Sequence, residues 1–140
     1  MSKILNIKFV YDVNFNNDRY YNYDGFKIET EDEEIYFVID NSQECCENWG
    51  TYLYTPEDLK DYIGAEYLEY DEKNCSEIEN HLKDEFVDPD EICFLNIHTS
   101  NGTIDFAVYN SHNGYYSHAV ILKITNKKTG ESSMPINEYL

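Results

Sequence analysis

The chain of 140 residues has the length of one domain, since a single hydrophobic core usually serves roughly 100–200 residues. A hydrophobic fraction of 41% excludes a disordered chain, and the longest apolar run is far shorter than the ~18 residues of a membrane span. The net charge of −18 excludes a cationic surface that binds nucleic-acid phosphates directly.

The first forty residues predict three strands. Residues 3–13 alternate between apolar and polar side chains, which is typical of a strand, and residues 14–24 are polar and predict a loop. Residues 25–30 and 34–40 predict a hairpin that turns at residues 31–33. We expect three of its side chains to face inward, with Tyr36 and Val38 on the opposite face. The three are Ile35, Phe37 and Ile39.

The middle of the chain predicts two short helices between strands. Residues 41–50 indicate a loop or short helix, and residues 51–54 a short strand. Thr55 and Pro56 are a good helix start, and that helix should end at Gly64. Residues 65–71 predict a strand or an extended edge. Residues 76–86 predict a second helix.

The C-terminal third predicts strands. Residues 92–99 and 103–109 form a hairpin around an Asn101-Gly102 turn, and residues 116–125 form a long strand after a turn at 113–114. A turn at residues 127–130 leads to a short last segment. The expected fold is α+β, a largely antiparallel β-sheet with one or two short helices inserted in the middle, and residues 1–140 form a single domain.

The negative charge is concentrated in the middle of the chain. Residues 29–91 contain 22 Asp or Glu and three Lys, a net charge of −19, whereas the remaining 77 residues have a net charge of +1. Such a segment is either a solvated face that keeps the protein soluble or a surface shaped for a basic partner. Both interpretations stay open at this point.

The strand predicted at residues 65–71 is the candidate surface for such a partner. On an extended segment, alternate carboxylates recur about every 6.6 Å on one face. Tyrosines supply contact area with a polar tip, and the chain has 14 of them. The predicted partner-binding residues are the acids and tyrosines of this segment: Glu66, Tyr67, Glu69, Tyr70, Asp71 and Glu72.

Two other kinds of site remain as alternatives. A small ligand, such as a nucleotide signal, would bind among five polar and aromatic residues: Asn96, His98, Asn113, Tyr115 and Tyr116. A hydrolase would use His112 or His118 together with Asp105. The adjacent Cys45 and Cys46 lack the spacing of a zinc site and are flanked by Glu44 and Glu47, so we predict no metal site and no cofactor.

Three short segments carry a resemblance to a known family. They are residues 43–47 (Gln-Glu-Cys-Cys-Glu), residues 58–64 (Asp-Leu-Lys-Asp-Tyr-Ile-Gly) and residues 112–117 (His-Asn-Gly-Tyr-Tyr-Ser). In this order they resemble a small domain family of unknown function from bacteriophages and bacterial genomes. A histidine of the family pattern falls on Asn41. The resemblance implies an α+β fold and an origin in a phage or mobile element. A phage-encoded protein of this kind could act against host defence, as anti-CRISPR proteins do.

Together these observations predict a non-enzymatic acidic inhibitor from a phage or mobile element. It would act in the host bacterial cytosol, where it would mimic nucleic acid and bind a basic nucleic-acid-binding host protein, such as a CRISPR-type nuclease. We expect no membrane and no direct nucleic-acid contact, and a homodimer is compatible with the sequence. The alternatives are the small-ligand binding protein, the metal- or histidine-dependent hydrolase, and a structural or assembly protein of a virion whose tyrosine-rich edges would be contacts.

Overall fold

The computed structural model describes residues 2–15, 22–42, 49–53, 58–74, 92–110 and 118–139. These residues form nine strands and one short 3-10 helix. The strands are β1 (Ile4–Val13), β2 (Tyr23–Thr30), β3 (Glu33–Asp40), β4 (Trp49–Leu53), β5 (Tyr67–Asn74), β6 (Ile92–Thr99), β7 (Gly102–Asn110), β8 (Ala119–Asn126) and β9 (Ser132–Tyr139). The 3-10 helix, Leu59–Tyr62, lies between β4 and β5.

The strands form two antiparallel sheets. The first sheet has the order β1-β2-β3-β8-β9, and the second has the order β4-β7-β6-β5. The chain therefore leaves the first sheet after β3, builds the whole second sheet, and returns to pair β8 with β3. Because of this route, the acid-rich middle of the sequence forms the second sheet and its connections.

One hydrophobic core lies between the two sheets. Phe26 of β2 contacts Phe106 of β7 across this core, with ring centroids 4.6 Å apart. Ile35, Phe37 and Ile39 are fully buried in it, as their alternation in β3 predicts. The second sheet contributes alternate side chains in the same way: Cys93, Leu95, Ile97, Ile104, Phe106 and Val108.

The first sheet also has a smaller apolar cluster on its outer face. Val38 is fully buried there beside Ala119 and Ile121, which confirms that it points away from the main core. Phe15 packs over this cluster, and Lys123 Nζ lies 4.7 Å from the centroid of its ring. The outer face of the first sheet is thus partly covered by residues just after β1.

The predicted strands correspond closely to the observed ones. The predicted strand at residues 92–99 coincides with β6, and the predicted hairpin of residues 25–40 corresponds to β2 and β3. Residues 116–125 predict β8, in which Val120 and Leu122 are fully buried. The last segment is longer than expected, because β9 has eight residues and forms an edge of the first sheet.

The expected α+β class is wrong. The described residues form antiparallel sheets, and the only helical element among them is the 3-10 helix at Leu59–Tyr62. Within the described residues, the predicted helix that ends at Gly64 is a single 3-10 turn, and its predicted start at Thr55 and Pro56 lies outside them. The second predicted helix, at residues 76–86, lies outside the described residues, as do Cys45, Cys46 and the turn at 113–114.

Two side chains hold the 3-10 turn against the core. Leu59 and Tyr62 are three residues apart, and both pack against the core between the sheets. Side chains at i and i+3 lie directly above each other on a 3-10 helix, which has three residues per turn. Asp58 caps the turn, accepting a hydrogen bond from the Lys60 N–H (3.0 Å), and Gly64 follows with φ +88°. The predicted end of the helix at Gly64 is therefore confirmed, and one 3-10 turn precedes it in the described residues.

Within the described part of the chain, no helix has the length and apolar character needed to cross a membrane.

The two phenylalanines that contact Phe26 allow a matched test of the core. Phe106 is fully buried, whereas Phe9 of edge strand β1 is 43% exposed and contacts the same ring with its centroid 4.7 Å away and its plane tilted by 44°. We expect Phe106→Ala to lower the free energy of unfolding by roughly 3–5 kcal/mol, because it leaves a cavity that cannot refill. Phe9→Ala should cost clearly less. Urea denaturation of both variants measures the difference, and equal losses would contradict this account of the core.

Tyr67 provides a second test, at alkaline pH. Burial raises the pKa of its phenol, and the nearby Glu33, Tyr70 and Glu69 raise it further. In the unfolded chain the phenol ionises near pH ~10, whereas in the folded protein it keeps its proton. The resulting stability is complete below pH ~10 and is lost as the pH rises above that value. We therefore expect the native protein to lose more stability than Tyr67→Phe between about pH 9 and pH 11 in urea titrations.

Candidate functional site

An acidic surface joins the two sheets at the start of β1. The β2–β3 turn, with Glu31, Asp32 and Glu33, lies on one side of residues 2 and 3, and the start of β5 lies on the other. The Glu31 N–H donates to the Lys3 carbonyl (3.0 Å), and the Tyr67 N–H donates to the Ser2 carbonyl (2.8 Å). Two acidic segments that are more than thirty residues apart in sequence thus flank one piece of backbone.

Side-chain bonds fix the same junction. The Lys3 N–H donates to Glu31 Oε1 (2.8 Å), and the Asp32 N–H donates to Ser2 Oγ (3.1 Å). Lys3 also pairs with Glu66 in an isolated β-bridge. The effect of Glu33 and Glu69 together on the phenol of Tyr67 shows that carboxylates of both segments lie near one ring.

A β-bulge decides which side chains β5 presents to solvent. Tyr67 pairs with Thr99 and Glu69 pairs with His98, so two steps along β5 match one step along β6. The extra residue, Leu68, is 47% exposed. After the bulge, Tyr67 and Tyr70 both pack against the core, while Glu69 and Asp71 share the outer face.

The structure therefore separates the predicted partner-binding residues into two groups. Glu66, Glu69 and Glu72 are exposed, whereas Tyr67 and Tyr70 are half-buried under the sheet. We call the exposed acids of the turn and of β5 the acidic surface: Glu31, Asp32, Glu66, Glu69 and Glu72. Glu69 leaves β5 on its outer face, whereas Glu72, which pairs with the core residue Leu95, leaves it on the other face. The two tyrosines pack against the core on the other face of β5, and only part of their surface is accessible to solvent.

Basic side chains gather on the outer face of the first sheet and are mostly paired there. Lys27 Nζ lies 3.5 Å from Glu34 Oε1, and Lys127 Nζ donates to Glu29 Oε2 (2.8 Å). The bond from Lys127 lowers the pKa of the Glu29 carboxyl. Burial by itself would lower the pKa of Lys27, but its contacts with Tyr36 and Glu34 outweigh burial and raise it. The acids of this face are thus largely neutralised, unlike those of the acidic surface.

Six polar residues form a grid on the outer face of the second sheet. In register, Glu69 lies opposite His98, which lies opposite Thr103; in the next row, Asp71 lies opposite Asn96, which lies opposite Asp105. Residues directly opposite each other share a face of the sheet, so all six side chains emerge on one side. We call this set the polar grid: Glu69, Asp71, Asn96, His98, Thr103 and Asp105.

A chain of hydrogen bonds runs diagonally through the polar grid. Asn96 Nδ2 donates to Asp71 Oδ1 (2.8 Å), His98 Nε2 lies 2.5 Å from Asp71 Oδ2, and His98 Nδ1 lies 2.9 Å from Thr103 Oγ1. An ionised carboxylate only accepts hydrogen bonds, so Nε2 carries the imidazole proton. In the neutral ring, Nδ1 is then the acceptor and the Thr103 hydroxyl donates to it.

Burial and a tight hairpin turn hold this chain of bonds in place. Asn96 is only 5% exposed, so its amide is fixed by its surroundings, whereas the side chain of His98 is 30% exposed and that of Asp71 is 48% exposed. The turn between β6 and β7 sets His98 opposite Thr103. Gly102 has φ +127° in this turn, and Thr99 Oγ1 donates to its carbonyl (2.7 Å).

The structure thus combines members of two sets that the sequence kept apart. Asp71 was assigned to partner binding, and Asn96 and His98 to the alternative ligand site, yet Asp71 bonds to both. The remaining residues of the ligand site, Asn113, Tyr115 and Tyr116, lie outside the described residues, as does His112.

His118 has a different environment from His98. It is 1% exposed, its Nδ1 donates to the Asp40 carbonyl (2.7 Å), and its ring lies 5.3 Å from that of Trp49. These contacts join the end of β3, the start of β4 and the start of β8, where the chain passes between the sheets. Among the described residues, no three His, Cys, Asp or Glu side chains are grouped as metal ligands.

Sequence reasoning missed Thr103 and the acidic turn as parts of these sites. Thr103 is the first residue after a glycine turn, and only the observed register shows that it faces His98. The turn acids Glu31 and Asp32 lie next to β5 because residues 2 and 3 bond to both segments. A count of acids along the chain shows neither contact, although it does place both segments in the anionic middle.

Comparison with known proteins identifies a family for this chain. No curated protein and no solved structure matches the chain. A family model described as "Domain of unknown function (DUF7448)" matches residues 2–122, which include both sheets up to the middle of β8. The chain therefore belongs to the DUF7448 family of domains of unknown function.

Proposed function

We propose that the protein binds a basic partner protein through its acidic surface, without catalysing a reaction on it. The observation that supports this proposal is the junction of the β2–β3 turn with β5, which places acids from two distant segments on either side of one short stretch of backbone. Acidic residues that only keep a protein soluble can be spread over its surface, and they do not need to be brought together by hydrogen bonds at one place.

The character of the acidic surface suits a protein partner that normally binds nucleic acid. Glu69 and Asp71 emerge on the same outer face of β5, about 6.6 Å apart along the strand, and give it consecutive anionic groups as the phosphates do in a strand of nucleic acid. The half-buried Tyr67 and Tyr70 fix β5 against the core, so the carboxylates are held by a rigid support. Rigid presentation lowers the entropy cost of binding.

The more specific form of the proposal concerns origin and target. A protein of a phage or mobile element, acting in the bacterial cytosol, would occupy the nucleic-acid channel of a host nuclease of the CRISPR type and so inhibit it. Association should be fast at low salt and slow as salt rises, because exposed charges are screened beyond about 8–10 Å.

Two double variants test whether position or net charge determines binding. Glu69→Gln with Glu72→Gln removes two charges from the acidic surface; Glu29→Gln with Glu34→Gln removes two from the outer face of the first sheet. Each variant, and the unmodified protein, would be immobilised and exposed to bacterial lysate at about 0.1 M salt, then washed with rising salt. We expect the first variant to lose at least about tenfold in retained basic proteins, and the second to lose little.

Competition gives the second arm of this experiment. If the captured proteins bind through their nucleic-acid sites, added double-stranded DNA should release them from the unmodified protein. Circular dichroism would establish that both variants keep the β-sheet spectrum. Equal retention by the two variants, or capture that DNA leaves unchanged, would overturn the proposal.

A further inference from the structure

We propose that Thr103, His98 and Asp71 form a nucleophilic relay that hydrolyses small esters without a negative charge. This inference is independent of the partner proposed above. It rests on the diagonal chain of hydrogen bonds in the polar grid, in which a carboxylate, an imidazole and a hydroxyl follow one another at 2.5 and 2.9 Å.

The neutral imidazole has the proton positions that a general base requires. When His98 is neutral and donates its Nε2–H to Asp71, Nδ1 keeps a lone pair, and this lone pair accepts the proton of the Thr103 hydroxyl. A nucleophile within reach of a base, with the base oriented by a third group, is the arrangement that activates weak hydroxyl nucleophiles. Here the third group, Asp71, is itself positioned by the buried Asn96.

The relay is open to solvent at Thr103 and is held in place by paired strands. Thr103 is exposed and His98 is half-exposed, so an ester carbonyl can reach the hydroxyl from solvent. Three adjacent strands hold the groups, with Asp71 on β5, His98 on β6 and Thr103 on β7. Side chains on paired strands are held more precisely than side chains on loops.

The surrounding charges define the class of ester. Glu69 lies opposite His98 and Asp71 bonds to it, so two carboxylates flank the imidazole. An anionic ester would be repelled from this face, whereas an uncharged or cationic one would not. The expected substrates are therefore small neutral or cationic acyl esters.

The chemical steps follow from these positions. The Thr103 oxygen attacks the ester carbonyl carbon while its proton passes to His98 Nδ1. The bond from the carbonyl carbon to the alcohol oxygen then breaks, and the departing alcohol takes the proton from Nδ1. Water attacks the acyl-Thr103 ester in the same manner, releasing the carboxylic acid and restoring the hydroxyl. Asp71 remains ionised throughout and stabilises the imidazolium.

The test uses p-nitrophenyl acetate with the full-length protein. Release of nitrophenolate would be followed by absorbance, and the acetylated residue would be identified by mass spectrometry of proteolytic fragments. We expect acetylation at Thr103 far above that at Thr125, a threonine whose hydroxyl bonds to Ser132 (2.8 Å) rather than to a histidine. The anionic p-nitrophenyl succinate should react more slowly than the acetate.

Variants separate the roles within the relay. Thr103→Val should abolish acetylation of that position, and His98→Gln should lower its rate by roughly 100-fold, the size of a typical general-base contribution. Asp71→Asn offers a donor to Nε2, which forces the proton onto Nδ1 and removes the acceptor. It should slow the reaction and also change its dependence on pH between about pH 5 and pH 8, which a purely structural role would leave unaltered.

Thr125→Val and Glu34→Gln are the matched controls, and both should react at the rate of the unmodified protein. Acetylation of Thr103 that exceeds the Thr125 level and falls in His98→Gln supports the relay. Labelling of Thr103 no greater than that of Thr125, together with nitrophenolate release no faster than hydrolysis without protein, would refute it, and this outcome does not depend on the folding of any variant. Equal labelling in folded His98→Gln would refute it as well.

Discussion

The burial of one apolar face of each sheet against the other is the constraint on which the remaining features depend. Once alternate residues of β6 and β7 enter the core around Phe106, the residues between them have to emerge on the outer face. Asn96, His98 and Thr103 therefore share that face because Leu95, Ile97 and Ile104 occupy the other. The polar grid is a consequence of core packing, and a one-residue shift of register would bury it and expose the core.

The bulge at Leu68 determines in the same way which side chains of β5, at the edge of the second sheet, face the core. Strict alternation from Tyr67 would place that tyrosine and Glu69 on one face, and then either a carboxylate would enter the core or a tyrosine would leave it. The inserted residue lets Tyr67 and Tyr70 both pack inward while Glu69 and Asp71 stay outside. One irregular residue thus maintains both the hydrophobic contact and the acidic surface, at a position where the mutual repulsion of the carboxylates opposes folding.

The sequence predicted most of the strands but little of the candidate sites. Alternation in residues 34–40 and the glycine turn before Thr103 are local signals, so the strands and hairpins around them were predictable. The single turn at Leu59–Tyr62 was predicted as a longer helix because capping signals mark ends without stating how many turns lie between them. The Asp71–His98 bond and the junction at Ser2 and Lys3 depend on pairing between distant segments, which no local pattern encodes.

Asp71 connects the two proposals and limits how each can be probed. It was grouped with Glu66, Glu69 and Glu72 as one of four equivalent carboxylates, but the structure gives it two hydrogen-bond donors from β6 that position both of its oxygens. Neutralising it would therefore disturb His98 and Asn96 as well as the surface charge, and a loss of partner binding in that variant would have two explanations. Glu69 and Glu72 are exposed, so they report on charge more directly. Asp71 is the better probe of the relay, because its substitution changes which nitrogen of His98 carries the proton, whereas substitution of Glu69 or Glu72 changes only the surface charge.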